Sequence, residues 1–190
     1  MKLNSRMILF TLLLVILTTV CKFFFGPELA WSGFSPVIAI ALFSGFIIKE
    51  KDISFLMPLL ALFLSDLCIQ LLYNGGLFPY PGFYTGQWKN YLILIAATLL
   101  GWSLKGRNYS TLAIGTVAAP TLFFLISNFL VWNAGYATYT KDFNGLLHSY
   151  EAGLPFYRNS LIATTLFLPV IILGYNWMMK KTVEMRLIRE

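Results

Sequence analysis

Charge is scarce in this sequence. Asp, Glu, Lys and Arg supply 12% of its 190 residues, about half the ~25% of an ordinary soluble domain. Hydrophobic residues supply 58%, and mean hydropathy is +0.72. A chain this apolar reads as an integral membrane protein. Cysteine is nearly absent too. Cys21 and Cys68 both fall inside apolar runs, which excludes a disulfide framework and a cysteine metal motif. No HExxH, GxSxG, Walker loop or CxxC occurs. Asp66 is the one carboxylate inside an apolar run, so an intramembrane pair of acids is missing. The single histidine, His148, lies with Glu151 in a segment read as a loop, where a lone histidine fits a surface or capping role better than a metal or acid–base role. These absences argue against an enzyme, and no cofactor or metal is expected. The net charge of +6 is not gathered into one stripe. It is dispersed between the apolar runs, as topology signals are, which argues against nucleic acid as a partner.

What is present is a series of six apolar runs: Met7–Phe25, Phe34–Ile48, Phe55–Tyr73, Tyr91–Leu104, Tyr109–Trp132 and Asn159–Met179. Their lengths approach the ~20 residues that cross a bilayer, and together they predict an all-α domain of six transmembrane helices filling residues 1–190. Lys2, Arg6, Lys49, Lys51, Lys105, Arg107, Lys180, Lys181, Arg186 and Arg189 flank one side of these runs. Lys22, Lys89, Lys141 and Arg158 flank the other. The positive-inside rule then predicts cytoplasmic N- and C-termini, in a multi-pass protein of the bacterial inner membrane. The opening "MKLNSR" and its apolar run resemble a secretory signal. The run is long, however, and no small-x-small site follows it, so it reads as an uncleaved first span.

The two sides differ in composition. The inner connections are short and basic, whereas the outer ones are "GPELAWSG", "NGGLFPYPGFYTGQWKN" and "NAGYATYTKDFNGLLHSYEAGLPFYR". Glycine, proline and aromatic residues make ordered turns rather than slack linkers. Interfacial anchoring accounts for many of the Tyr and Trp residues. The stretch "LFPYPGFY" goes further, since two prolines and a glycine hold four aromatics in a compact hairpin, the composition of a lid.

Asp66 lies just past the middle of the third run, toward the outer side. An unanswered carboxylate there costs at least about 2.5–3.5 kcal/mol. Polar residues of neighbouring runs gather at a similar depth: Lys22, Ser127, Asn128, Arg158, Asn159 and Ser160. Asp66–Arg158 is the expected ion pair, with Asn128 and Asn159 satisfying the remaining groups. Three roles stay open for Asp66: a structural ion pair, the wall of a pocket for a polar solute, or a proton relay. The relay has nothing to continue it, because the inner half holds no Asp, Glu or His within a run. On the pocket reading, Asp66, Asn128, Arg158 and Asn159 bind or support a solute, and Trp31, Phe78, Tyr80, Phe83 and Tyr84 help to close over it.

Four stretches carry a resemblance: "FSPVIAIALFSG" at Phe34–Gly45, "PLLALFLSDL" at Pro58–Leu67, "LISNFLVW" at Leu125–Trp132 and "GLPFYRNSL" at Gly153–Leu161. In this order they resemble an uncharacterised bacterial family of small membrane proteins related to the substrate-binding (S) components of energy-coupling-factor (ECF) vitamin transporters. The resemblance implies six helices and a vitamin-sized ligand held at the outer side under loop lids. It also implies a membrane scaffold partner that carries two cytoplasmic ATPases, whose work releases the ligand inward. Many S components dock through Ala-x-x-x-Ala on the first helix, and the first run here has no alanine. Small-residue faces exist at Ala39, Ala41 and Gly45, or at Ala113, Gly115 and Ala118. The alternative is an accessory or structural subunit of a larger inner-membrane complex that does not itself transport.

Overall fold

A computed structural model describes residues 5–104, 109–135 and 138–179. The basic positions Lys2, Lys105, Arg107, Lys180, Lys181, Arg186 and Arg189 lie outside the described residues. The described chain is all-α and contains no strand. Its helices are α1 (Ser5–Phe25), α2 (Val37–Ile47), α3 (Lys51–Asn74), α4 (Trp88–Ser103), α5 (Tyr109–Asn133) and α6 (Phe143–Met179), with a 3₁₀ turn at Leu29–Trp31. Four of them, α1, α3, α5 and α6, are long and apolar enough to cross a membrane. α2, with 11 residues, and α4, with 16, are shorter.

α2 is the axis of the bundle. Ala39, Ile40, Ala41, Leu42 and Phe43 are all fully buried, so every face of the helix is covered. This explains its sequence, which is apolar without a polar stripe. α4 packs on α2 through glycine. A methyl group at Gly45 would overlap the Thr98 carbonyl oxygen, and one at Gly101 would overlap that of Leu42. The two backbones therefore touch directly, as small residues permit in a lipid solvent. α3 is joined to α2 by a polar contact with a local cause. Pro58 has no N–H, which leaves the Ser54 carbonyl without its helical donor. The buried Ser44 hydroxyl donates to that carbonyl at 2.7 Å.

Helix α6 begins 16 residues earlier than the apolar pattern predicts, because Phe143–Arg158 is helical and runs unbroken through Pro155 into the apolar segment. The predicted outer loop is thus mostly helix, and His148 and Glu151 face each other across one turn of it at 3.1 Å. At about 1.5 Å per residue the 37 residues of α6 extend ~55 Å, well beyond a ~30 Å hydrocarbon layer. Its early turns fit against α5 through small residues. The Ser149 hydroxyl donates to the Asn128 carbonyl at 2.9 Å, and Gly153 leaves room for the Asn128 amide.

Candidate functional site

The connections α1–α2, α3–α4 and α5–α6 gather at one end of the bundle, called here the loop end. Beside it, α1, α3 and α4 bring together Lys22, Ser65, Asp66, Gln87 and Tyr91. Lys22 in the last turn of α1 forms an ion pair with Asp66 through Oδ1 and donates to Ser65 Oγ at 2.7 Å. On the other carboxylate oxygen, Oδ2, Gln87 Nε2 donates at 2.6 Å and the Tyr91 hydroxyl at 2.7 Å. Gln87 immediately precedes α4 and Tyr91 lies four residues on, so one face of the helix start delivers both donors. The Asp66 side chain is 7% exposed and that of Lys22 is 21% exposed. The carboxylate is therefore sealed, and the Lys22 side chain is the less covered of the two.

Residues 75–87 form a strap that folds back over this cluster. Gly82 lies so close to α3 that a methyl there would overlap the Asp66 carbonyl oxygen and come within 2.6 Å of the Gln70 amide nitrogen. Gln87 Nε2 also donates to the Gly82 carbonyl at 3.1 Å, and Gln87 Oε1 accepts from the Tyr84 amide at 3.1 Å. Gln70 Oε1 accepts from the Phe83 amide at 3.1 Å. Phe78 is buried between Phe23 of α1 and Tyr80, and Phe83 packs on Phe63 of α3. The hydroxyl of Tyr84 accepts from Asn90 Nδ2 at 2.6 Å. Desolvation within the strap raises the Tyr84 phenol above its ordinary value; the Asn90 hydrogen bond opposes this and the nearby Asp66 carboxylate adds to it. Burial likewise raises Tyr80.

The expected Asp66–Arg158 pair does not form. Lys22 holds the carboxylate, and Arg158 is exposed on α6. Asn128 and Asn159 serve other contacts. Asn128 Nδ2 donates to the Phe124 carbonyl of its own helix at 2.8 Å. Asn159 is buried and donates to the Ala30 and Ser32 carbonyls at 2.8 and 2.9 Å, while the neighbouring Ser160 donates to Gly33 at 3.2 Å. These bonds clamp the α1–α2 connection, where Gly33 takes φ +86° under the Phe156 carbonyl. Trp31 belongs to that connection and packs on Phe25 and Phe34 rather than on the Asp66 cluster. Of the nine predicted site residues, then, Asp66, Phe78, Tyr80, Phe83 and Tyr84 belong to the strap assembly, and Asn128, Arg158, Asn159 and Trp31 do not. Sequence reasoning overlooked Gln87 and Tyr91, although their spacing of four beside a strap of turn residues was a usable signal.

Elsewhere an open, apolar groove of about 730 Å³ lies between α4 and α5, lined by Leu100, Ala113, Ile114, Val117, Thr121 and Leu125. Of the two small-residue faces, Ala39, Ala41 and Gly45 are buried under α4 and its neighbours, whereas Ala113 is exposed in the groove wall. Among the described residues, no group of three or more His, Cys, Asp or Glu side chains is placed to hold a metal.

In comparisons with known proteins, the model of DUF6580, a family of unknown function, matches residues 1–186. The chain belongs to this family. No curated protein and no solved structure matches it.

Proposed function

For a member of DUF6580 built in this way, we propose a multi-pass membrane protein that captures a small solute at the loop end, with the strap of residues 75–87 as its cover. The observation that carries this reading is a buried ion pair whose carboxylate also fastens the strap. Gln87 bridges Asp66 and Gly82, so the cover and the charge are one assembly.

The membrane topology belongs to the same proposal. All six helices cross, with α2 and α4 falling short of the full thickness. The burial of residues 38–46 of α2 supports this, because irregular backbone at membrane depth is tolerated where protein surrounds it. Trp31, Tyr84 and Trp88 are exposed at the loop end and Trp177, 82% exposed, lies near the last turn of α6, as two interfacial belts require. The basic flanks put the loop end outside, in a bacterial inner membrane. By resemblance the protein works as an S component beside an ECF-type scaffold and its ATPases, taking up a vitamin or similar micronutrient.

A second reading has its own support. The apolar groove between α4 and α5 presents exposed small residues to the membrane, a surface suited to the helix of a larger complex in which this chain is an accessory subunit. Purification in mild detergent, followed by native mass spectrometry and identification of released small molecules, separates the two. A vitamin-sized compound supports capture. A stable membrane complex without one supports the subunit reading and sinks capture. Topology is tested apart, by cysteine substitutions labelled in intact cells with an impermeant maleimide. Gly76→Cys should react and Asp52→Cys should not; the reverse would overturn the orientation.

A further inference from the structure

We infer that the first turns of α6, Phe143–Arg158, lie obliquely in the membrane interface at the loop end and bind the lipid surface there, with Arg158 against a headgroup phosphate. This rests on the membrane crossing proposed above and adds a surface to it. Helix length raises the question. The 37 residues of α6 are too many for one upright crossing, whereas Asn159–Met179 alone extends ~31 Å, close to the ~30 Å hydrocarbon layer. Residues 143–158 need another place, and two contacts supply it. Trp132, at the loop end of α5, donates through Nε1 to the Thr140 carbonyl at 2.9 Å, and the Lys141 ammonium sits over its ring at 5.2 Å. An indole and a lysine at a helix end mark a membrane interface, and this marker adjoins the start of α6. A second marker, Trp31, belongs to the α1–α2 connection, which Asn159 holds through the Ala30 and Ser32 carbonyls. Both ends of residues 143–158 are thus tied to interfacial aromatic residues. An upright helix would separate the two markers by ~24 Å along the membrane normal. α5 runs beside this stretch, with Ser149 bonded to the Asn128 carbonyl at 2.9 Å and Tyr157 to Thr121 at 2.8 Å. Its 25 residues, ~37 Å, also exceed the hydrocarbon layer and fit it by tilting.

The residue pattern agrees. Phe143, Leu147 and Leu154 are exposed and share one face of the helix. Asn144, His148, Glu151, Pro155 and Arg158 recur at spacings of four and three on the face beside it, and all are exposed. A helix at an interface is built this way, with its apolar side in the acyl layer and its polar side toward headgroups and water. His148 and Glu151 answer each other at 3.1 Å. Arg158 has no carboxylate partner among the described residues, so a headgroup phosphate is its counter-charge. Pro155 has no N–H for the Glu151 carbonyl, which leaves one rung of the helix open near the junction of the oblique stretch with the crossing one.

The test uses the full chain carrying Cys21→Ala and Cys68→Ala, in nanodiscs of phosphatidylcholine. Nitroxide labels are placed singly at Leu147→Cys, Leu154→Cys, Asn144→Cys and His148→Cys. Their relaxation by oxygen, which collects in lipid, is compared with that by a water-soluble nickel chelate. The first two should respond mainly to oxygen and the last two mainly to nickel. Nickel access at all four means that the stretch stands in water, and oxygen access at all four that it lies within the hydrocarbon; each result overturns the inference. So does shielding of all four from both reagents, which means that protein covers the stretch. A label at Leu166→Cys, exposed in the apolar part of α6, tests the crossing separately: nickel dominance there overturns the crossing, and the inference with it. In nanodiscs that also contain phosphatidylglycerol, native mass spectrometry should show Arg158→Gln retaining that lipid about fivefold more weakly than wild type, the contribution of one basic residue at an anionic surface. Arg158→Lys should stay close to wild type. Equal retention by all three overturns the phosphate contact.

Discussion

Removing either member of the Lys22–Asp66 pair should be costly, and removing both should be cheap. Lys22→Met leaves a 7% exposed carboxylate with only Gln87 and Tyr91 as donors. Breaking a buried pair in this way costs about 3–5 kcal/mol, and this variant belongs at the upper end of the range. Asp66→Asn leaves the ammonium against an amide, but the Lys22 side chain is less buried than that of Asp66 and Ser65 still accepts from it, so the cost lies near the lower end. If the effects were independent, the double variant would lose about 6–10 kcal/mol. The geometry predicts otherwise. In Lys22→Met/Asp66→Asn no charge is left buried, and the asparagine oxygen still accepts from Gln87 and Tyr91. What disappears is the charge assistance of those two bonds, about 1 kcal/mol each. The double variant should therefore lose about 2 kcal/mol, less than either single variant. Equilibrium unfolding by SDS in mixed micelles, followed by tryptophan fluorescence, measures all four corners of the cycle. Losses that add to within about 0.5 kcal/mol would falsify the coupling of Lys22 and Asp66.

Four further outcomes follow from the same contacts. Ser44→Ala should destabilise by about 1–3 kcal/mol by orphaning the Ser54 carbonyl, and far less in a Pro58→Ala background, where the restored amide takes over; an equal loss in both backgrounds refutes the account. Gly82→Ala should lift the strap from α3 and raise hydrogen exchange across residues 76–87 while α2 stays protected; unchanged exchange there would mean the strap does not rest on Asp66. Asn159→Leu removes two buried bonds to Ala30 and Ser32 and should cost about 1–3 kcal/mol with loosening of residues 26–36, read by the same exchange experiment; protection retained in that segment counts against the clamp. Asp142 accepts from the Thr140 hydroxyl and the Gly145 amide, which hold its carboxyl below the ordinary value of 3.8. Because the folded value is the lower one, its contribution to the first turn of α6 is present above pH ~3.8 and is lost as pH falls through the folded value. An NMR titration that places Asp142 at or above the ordinary value contradicts this.

The helices were legible in the sequence because apolar length is a direct signal, and the lid reading of "LFPYPGFY" identified residues that do sit in the strap. Two features were harder to read. The early start of α6 was hidden because Pro155, Gly153 and the charged residues before Asn159 look like a loop, whereas packing of Ser149 and Gly153 on Asn128 stabilises helix there. The partner of Asp66 was misassigned because depth alone does not rank Lys22 against Arg158. That choice depends on which helices are neighbours, and α1 lies against α3 where α6 does not reach Asp66. Asn159 was expected beside Asp66, satisfying its remaining groups, and is bonded elsewhere. Its partners are backbone carbonyls of the α1–α2 connection, and no residue pattern announces a carbonyl.

The glycine contact between α2 and α4 has a mechanical consequence. With Gly45 against the Thr98 carbonyl and Gly101 against that of Leu42, a shift of either helix toward the other meets backbone rather than an adaptable side chain. α4 also begins with Gln87, the residue that fastens the strap. Gln87 thus joins the strap directly to the helix that is seated on α2. The flank of α5, by contrast, lies open along the groove.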